Sequence, residues 1–281
     1  MVQRIDVPGG ILKGRVLIVA GSDSGGGAGI QADIKTVTVL GGYAATAITA
    51  LTAQNTEGVF DVMGVPPAFI AKQMRLVLDD IGADAIKTGM LHDQEVIATV
   101  ADVLAEYRGL RVVVDPVMVA KGGAALIAPN AVAALVRRII PMATVITPNL
   151  PEAERLLGLQ IRDLDDMKRA AASLLTLGCE AALLKGGHLE SDIVTDVLAT
   201  PQGIELFTHP RIATSSTHGT GCTLASAIAV GLAQGMTLSA AVKRARAFVR
   251  QAIATAPGLG RGHGPLNHAH AIPADETAAH S

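Results

Sequence analysis

Four consecutive residues, Gly219-Thr220-Gly221-Cys222, have the types and spacing of a site that binds an anion beside a reactive thiol. The apolar run over residues 223–233 predicts a helix, whose first free N–H groups would point back at the glycine turn. A helix start of this kind attracts anions. It would also stabilise a thiolate, so we expect a lowered pKa for Cys222 and a role for its thiol as base or nucleophile. The alternative is that Gly-Thr-Gly is only a turn and Cys222 a small buried residue.

Four further polar residues complete the set that a phosphate-rich ligand needs, namely backbone donors, a cation and oxygen ligands for a divalent metal. Lys185 precedes two glycines, which a surface lysine does not need beside it, so we favour a functional role as the cation. The side-chain oxygens of Asp115, Asn149 and Glu152 could hold Mg²⁺ directly or through water. Asp115 could instead belong to a turn before Pro116. Asn149 and Glu152 could equally form a reciprocal helix cap.

The elements that must position these side chains alternate between apolar strands and amphipathic helices. The predicted strands cover 15–20, 44–50, 58–65, 83–87, 111–114, 144–146, 181–184, 193–198 and 204–207, and the predicted helices cover 30–40, 68–79, 94–107, 130–139, 151–157, 164–177, 220–233 and 238–254. This alternation predicts an α/β fold with a single doubly wound, mostly parallel sheet flanked by helices and an antiparallel hairpin at its edge. We expect one domain over 15–272, with tails at 1–14 and 273–281. The carboxyl ends of its strands would share one crevice.

Composition excludes several classes of function. The net charge is −2 with no run of Lys or Arg, and only six residues are Phe or Tyr, so we expect no nucleic-acid partner. The two cysteines form no disulfide framework, and Cys179 is expected in the core. The longest apolar run is too short to span a bilayer and no signal peptide precedes the first strand, so we expect no membrane partner and a cytoplasmic location.

Familiar phosphate and metal motifs are absent. The glycine-rich loop at 21–29 lacks the G-x-G-x-x-G spacing, and the chain contains no G-x-x-x-x-G-K-[ST]. His188 and His218 match no zinc spacing, so we interpret them as solvent-facing or hydrogen-bonded histidines. Lys121-Gly122-Gly123 could be a mobile lid or a simple turn.

Taken together, the ordered motifs of the chain resemble those of the ribokinase superfamily and, within it, the bacterial hydroxymethylpyrimidine/phosphomethylpyrimidine kinases of thiamine biosynthesis. The motifs are Ala20-Gly21-Ser22-Asp23-Ser24, Gly26-Gly27-Ala28-Gly29-Ile30-Gln31-Ala32-Asp33, Ala53-Gln54-Asn55-Thr56, Lys87-Thr88-Gly89-Met90, Asp115-Pro116-Val117-Met118, Thr147-Pro148-Asn149-Leu150-Pro151-Glu152-Ala153, Lys185-Gly186-Gly187-His188 and Thr217-His218-Gly219-Thr220-Gly221-Cys222-Thr223. Gly25 departs from the family, which usually has Ser there.

The resemblance implies a kinase that uses ATP and Mg²⁺, acts on a small pyrimidine and forms a homodimer. It implies that the substrate site is lined by Gly21, Asp33, Gln54, Met90 and the Val117 backbone. ATP is then expected to contact Asn149, Lys185 and Thr220, and Mg²⁺ is expected to be held by Asp115, Asn149 and Glu152. The catalytic groups that the resemblance implies are Cys222, Lys185 and the Gly219–Gly221 turn. Sugar kinases of the superfamily commonly have Asp where this chain has Cys222, which favours the pyrimidine branch. A pyridoxal or pyridoxine kinase is the alternative within the class, and a non-catalytic pyrimidine or nucleotide sensor is the alternative outside it.

Overall fold

Nine strands form one sheet in the computed structural model, which describes residues 12–119, 123, 126–128, 130–189 and 191–272. The strands are β1 (Arg15–Asp23), β2 (Tyr43–Gln54), β3 (Val59–Gly64), β4 (Ala85–Thr88), β5 (Arg111–Val114), β6 (Val145–Ile146), β7 (Ala182–Leu184), β8 (Ile193–Thr200) and β9 (Gly203–Pro210). Their order across the sheet is β3-β2-β1-β4-β5-β6-β7-β8-β9.

The helices cover both faces of this sheet. They are α1 (Gly29–Val39), α2 (Pro67–Asp80), α3 (Gln94–Glu106), α4 (Ala131–Ala134), α5 (Leu150–Leu157), α6 (Leu164–Leu174), α7 (Thr220–Ala233) and α8 (Leu238–Ala254). None of the helices in the described ranges is both long and apolar enough to cross a membrane.

The direction of the strands confirms the predicted fold class. The strands from β2 through β1, β4, β5 and β6 to β7 are parallel, and β8 and β9 form the predicted antiparallel hairpin at one edge. At the other edge β3 pairs antiparallel with β2, which was not predicted. Both edges of the sheet are therefore antiparallel, and the parallel strands lie in the centre.

The alternation of side chains along the central strands builds two cores. In β1, Leu17 and Val19 pack in the core that contains α2 and α3, whereas Val16 and Ile18 pack in the core that contains α7 and α8. Successive side chains of a strand point to opposite faces, so an apolar run without polar interruptions is buried on both sides. The prediction of a doubly buried first strand is confirmed.

The structure differs locally from the predicted elements in two places. The first two strands continue beyond the predicted ends, so Gly21 and Gln54 lie within β1 and β2 rather than in the loops that follow. The predicted helix at 130–139 is α-helical only over Ala131–Ala134 and continues as a π-helical turn, Leu135–Ile139, ahead of Pro141. Proline lacks the N–H that an α-helix requires, and the hydrogen-bond ladder changes its spacing before it.

Candidate active site

A cavity of about 660 Å³ lies where the parallel strands end, and it brings together nearly all of the predicted site residues. Its lining includes Gly21, Gln54, Met90, Asp115, Val117, Asn149, Glu152, Lys185, Gly219, Thr220, Gly221 and Cys222. A cavity of this size suits a small-molecule ligand. Of the predicted lid, Lys121 and Gly122 lie outside the described residues.

One end of the cavity is built around the start of α7. Gly219 precedes the helix with a φ of +81°, a conformation that favours glycine, and the helix begins at Thr220. The Thr220 hydroxyl donates to the Thr217 carbonyl at 2.7 Å and tightens the turn. A hypothetical Cβ on Gly221 would lie 3.1 Å from Lys185 Nζ, so the ammonium sits directly beside the helix start. A fixed cation and the free N–H groups of the first turn together favour an anion.

Lys185 is held as a cation by carboxylates. Its Nζ donates to Asp115 Oδ1 at 3.3 Å, and Asp115 is itself buried. Burial opposes the charged form of Lys185, but the charges of Asp115 and Glu152 outweigh it and raise the lysine pKa. We therefore expect Lys185 to be positively charged at every physiological pH.

Asn149 and Glu152 form the reciprocal cap that the sequence allowed. The Asn149 side chain accepts a hydrogen bond from the Glu152 N–H at 2.9 Å, and the Glu152 carboxylate accepts one from the Asn149 N–H at 2.8 Å. Burial raises the pKa of Glu152 to about 7. The pair fixes the start of α5 against the cavity and keeps a carboxyl group at the cavity wall.

The expected lowering of the Cys222 pKa is wrong. Cys222 is the third residue of α7, but its thiol is half-buried at the cavity wall and burial raises its pKa to about 12. Lys87 and a backbone N–H of Gly29 lower the pKa, whereas the Asp33 and Asp115 carboxylates raise it. Desolvation and two nearby carboxylates therefore outweigh the helix dipole, and the thiol is protonated at neutral pH.

Gly21 and Met90 form a small apolar part of the cavity wall. A hypothetical Cβ on Gly21 would lie 3.2 Å from the Met90 sulfur, so the absence of a side chain at Gly21 leaves room at that wall. The Gln54 amide nitrogen lies 3.2 Å from His218 Nε2 and supplies a polar group to the wall of the same cavity. The apolar surface of Gly21 and Met90 can hold a flat ring by contact, and the Gln54 amide can orient it.

His218 is a buried, hydrogen-bonded histidine, in line with the sequence interpretation. Its Nε2 lies 2.9 Å from Asp23 Oδ2, and the Asp23 carboxylate also accepts backbone N–H groups of Gly25, Gly27 and Ala28. Burial works against the Asp23 charge, but these hydrogen bonds lower its pKa. The network joins the glycine-rich loop after β1 to the loop before α7.

Asp33, predicted to line the substrate site, is the exception. Its side chain is completely buried beneath the cavity, where it accepts hydrogen bonds from Lys87 Nζ at 2.9 Å and Ser226 Oγ at 2.6 Å. Helical spacing explains this, because α1 turns the face that carries Asp33 toward α7 and away from the ligand cavity. Asp33 can reach a ligand only through Lys87.

The family of the chain follows from comparison with known proteins. A family model described as phosphomethylpyrimidine kinase matches residues 23–267. The chain belongs to the phosphomethylpyrimidine kinase family. It is 48% identical over 255 residues to the hydroxymethylpyrimidine/phosphomethylpyrimidine kinase of Bacillus subtilis, with 90% of this chain and 94% of that protein covered. The family recognised from the sequence motifs is thereby confirmed.

This member of the phosphomethylpyrimidine kinase family is also similar to a longer bifunctional protein and to a solved kinase structure. It is 56% identical over 256 residues to the thiamine biosynthesis bifunctional protein ThiED of Geobacter sulfurreducens; 91% of this chain is covered, but the chain spans only 52% of that longer protein. It also resembles the solved structure of the pyridoxal kinase from Staphylococcus aureus in complex with AMP-PCP and pyridoxal, with a TM-score of 0.83, 37% identity and coverage of 91% and 94% of the two chains.

The oxygen donors of this phosphomethylpyrimidine kinase site fit a hard cation held largely through water. Asp115 and Glu152 line the same cavity and interact electrostatically, which matches the preference of Mg²⁺ for carboxylates and retained water. Among the described residues, no group of three or more His, Cys, Asp or Glu side chains is placed to ligate a metal directly. Magnesium therefore fits here as a partner of the ligand phosphates rather than in an all-protein cage.

Sequence reasoning gave no role to Lys87, a charged residue that borders the cavity. The motif Lys87-Thr88-Gly89-Met90 was recognised, but only Met90 received a role. Lys87 is completely buried yet borders the cavity. The available signal was a charged residue inside the doubly buried strand β4, a position that normally excludes charge.

Proposed function

We propose that this chain is an ATP- and Mg²⁺-dependent kinase of thiamine biosynthesis. It phosphorylates 4-amino-5-hydroxymethyl-2-methylpyrimidine to the monophosphate and then converts the monophosphate to the diphosphate. One observation carries the proposal: a single cavity holds the Lys185 ammonium beside the start of α7 and, elsewhere on its wall, the small apolar surface of Gly21 and Met90. The activity named for the Bacillus subtilis relative supports it.

The roles follow from the groups that line the cavity. The ATP phosphates meet Lys185, Thr220 and Asn149, with the backbone N–H groups from Gly219 to Gly221 directed at the charge that develops during transfer. The pyrimidine ring rests against Met90, Gly21 and the Val117 backbone and is oriented by Gln54. Asp115 and Glu152, with Asn149, hold Mg²⁺, which when bound neutralises phosphate charge.

The first transfer moves a phosphoryl group to a hydroxyl group. The substrate oxygen forms a bond to the γ-phosphorus, the bond from that phosphorus to ADP breaks, and its electron pair leaves with ADP. The hydroxyl proton passes to the ionised Cys222 sulfur. Phosphoryl transfer has a loose transition state, so the proton leaves late and a base present only in small amount is sufficient. Charge stabilisation and positioning by Lys185 and the α7 start supply most of the rate enhancement.

The second transfer needs no base, because the attacking oxygen belongs to a phosphate that is already anionic. The same donors that hold the γ-phosphate must then tolerate a second phosphate nearby. The Lys185 charge and the free N–H groups of α7 offset this repulsion. One cavity can thus perform both transfers with one set of residues.

A pyridoxal kinase activity is the second candidate function. The observation that favours it is the close likeness to the Staphylococcus aureus pyridoxal kinase. A pyridine and a pyrimidine ring have similar size, so the apolar wall accepts either, and the Gln54 amide is the group that can discriminate between them. A non-catalytic sensor is the remaining candidate, and the charged Lys185 at the helix start weighs against it.

Domain organisation and assembly complete the proposal. Residues 15–272 form the kinase domain, with tails at 1–14 and 273–281, and consumption of ATP is consistent with a cytoplasmic enzyme. We propose a homodimer that covers the edge strand β3, where Phe60 is 70% exposed and Met63 is 62% exposed. Exposed aromatic residues on an edge strand are typical of an interface.

The deciding experiment is a turnover assay. The chain is incubated with ATP, Mg²⁺ and either the hydroxymethylpyrimidine or pyridoxal, and mono- and diphosphate products are resolved. Diphosphate from the pyrimidine with weak pyridoxal turnover supports the two-step kinase. Pyridoxal phosphate alone supports the second candidate, and ligand binding without turnover supports the sensor.

A further inference from the structure

Lys87 is the largest fully buried side chain in the described structure, and it carries a charge. Its Nζ forms a salt bridge of 2.9 Å with Asp33, and both side chains have no exposed surface. A buried ion pair recovers little of its desolvation cost, and an apolar pair of the same volume is often as stable or more stable. The pair therefore calls for an explanation other than fold stability.

The position of the pair follows from strand and helix periodicity. Ile86 of β4 belongs to the core under α2 and α3, so Lys87 points to the opposite face, toward α1 and α7. There the Asp33 carboxylate of α1 accepts from Lys87 and from Ser226 of α7. A hypothetical Cβ on Gly89 would lie 2.9 Å from Lys87 Nζ, so the ammonium is pressed against the backbone at the end of β4.

This anchoring places the ammonium near the face of α7 that carries Cys222. Ser226 lies one helical turn after Cys222, and residues four apart in a helix share a face. Cys222 and Lys87 both border the cavity. The charged groups that act on the thiol are Lys87 from β4, Asp33 from α1, Asp115 after β5 and Lys185 after β7.

We propose that Lys87 is a positioning residue for the first phosphoryl transfer: its buried ammonium, fixed by Asp33 and Ser226, holds the negative charge on the Cys222 sulfur. The proposal rests on the proposed kinase function and deepens it by naming the group that stabilises the thiolate form of Cys222. Asp33, which does not line the cavity, acts in the opposite sense, because its carboxylate offsets part of the Lys87 charge. The two partners of one salt bridge thus have opposite effects on the same sulfur.

The first test measures thiolate formation without turnover. The ligand-free protein is alkylated with iodoacetamide at several pH values, and modification of Cys222 is followed by peptide mass spectrometry, which separates it from the buried Cys179. We expect Lys87→Met to slow alkylation at a given pH by tenfold or more and Asp33→Asn to accelerate it severalfold. Lys72→Met, which removes an exposed lysine of α2, serves as control and leaves the rate unchanged.

Opposite signs distinguish an electrostatic role from a packing role. If the pair were merely structural, both substitutions would loosen the site and both would accelerate alkylation. A change in the same direction for both variants, or changes within twofold, overturns the proposal. Thermal unfolding measured beside each rate identifies a variant that does not fold. If Lys87→Met does not fold, Lys87→Gln, which also removes the charge, takes its place, and faster alkylation in that variant overturns the proposal.

The second test measures both transfers. Lys87→Met is expected to reduce the rate of hydroxyl phosphorylation at least tenfold more than the rate of monophosphate phosphorylation, and to have no additional effect when Cys222 is already serine. An equal loss in both transfers contradicts the role through the sulfur. If neither transfer occurs in the unmodified protein, the kinase proposal fails while the alkylation result still stands, so the two failures are separable.

Discussion

Gly219 lies against the carbonyl group of Gly27, and a Cβ at residue 219 would overlap the Gly27 oxygen. The two glycines come from opposite ends of the chain, one in the loop after β1 and the other at the start of α7. Their contact lets the two glycine-rich loops form one wall of the cavity. The backbone itself, and not a side chain, sets this distance.

Substitution of Gly219 by alanine is expected to damage both stability and catalysis. The residue has a φ of +81°, which costs an alanine about 1–2 kcal/mol, and the new methyl group must also displace the Gly27 carbonyl. Gly235→Ala is the matched control, because Gly235 has a φ of +84° with no atom near its Cβ position. Denaturant unfolding should show a larger loss of unfolding free energy for Gly219→Ala than for Gly235→Ala. Only Gly219→Ala should reduce kcat at least tenfold. Equal unfolding free energies and equal activities would contradict the close packing.

Asn149 is expected to contribute to both folding and ligand binding, whereas Asp163 contributes to folding alone. Each residue caps its helix with a side chain that accepts from the backbone N–H three residues on. Replacement by alanine should cost about 1 kcal/mol of unfolding free energy at either position. Only Asn149→Ala should raise the KM for ATP, by tenfold or so, because only Asn149 lines the cavity. Similar KM values for the two variants would limit Asn149 to its capping role.

Cys222→Ala should slow hydroxyl phosphorylation at least tenfold and leave monophosphate phosphorylation nearly intact. The first step needs a base and the second begins from an anionic oxygen. Because the pKa of the thiol is about 12, the thiolate fraction rises about tenfold per pH unit, so the first step should accelerate with pH through the alkaline range. Cys179→Ala, which alters a core cysteine, should leave the ratio of the two rates unchanged. Equal losses in both steps would exclude the role as base.

His268 should make the protein sensitive to acid. Burial, together with the charges of Lys35 and His270, lowers its pKa from 6.5 to about 4, and its Nε2 pairs with the Thr223 hydroxyl. The folded state resists protonation, so the stabilisation is present above pH 6.5 and is lost as the pH falls toward 4. The unfolding free energy of the unmodified protein should drop on the order of 2–3 kcal/mol more than that of His268→Gln over this range. His263→Gln, at an exposed position of the same segment, is the control, and its unfolding free energy should change with pH as that of the unmodified protein does. If the unfolding free energy of His268→Gln fell just as steeply toward pH 4, the assignment to His268 would be refuted.

Prediction from the sequence worked where a single segment carries the signal. The apolar run of β1 was predicted and is found, and the Asn149–Glu152 cap is found as one of the two alternatives that the sequence left open; each depends on local periodicity or on residues three apart. The antiparallel pairing of β3 was missed because strand direction is set by the partner strand, which periodicity does not identify. The strand at 58–65 was predicted, but its direction was not.

The sequence by itself determined the alternating α/β architecture, the family and the set of polar residues at the strand ends, because these depend on local pattern and ordered motifs. Tertiary structure decided the charge state of Cys222 and the position of Asp33. The position of Cys222 at the start of α7 predicts a thiolate. Burial and the carboxylates of Asp33 and Asp115 instead raise the pKa of the thiol and keep it protonated. Lys87 and Asp33 are 54 residues apart and become partners only when α1 packs on β1, which is paired with β4 in the sheet. A pKa and a buried ion pair depend on the summed field and the solvent exclusion of distant segments, which no local pattern contains.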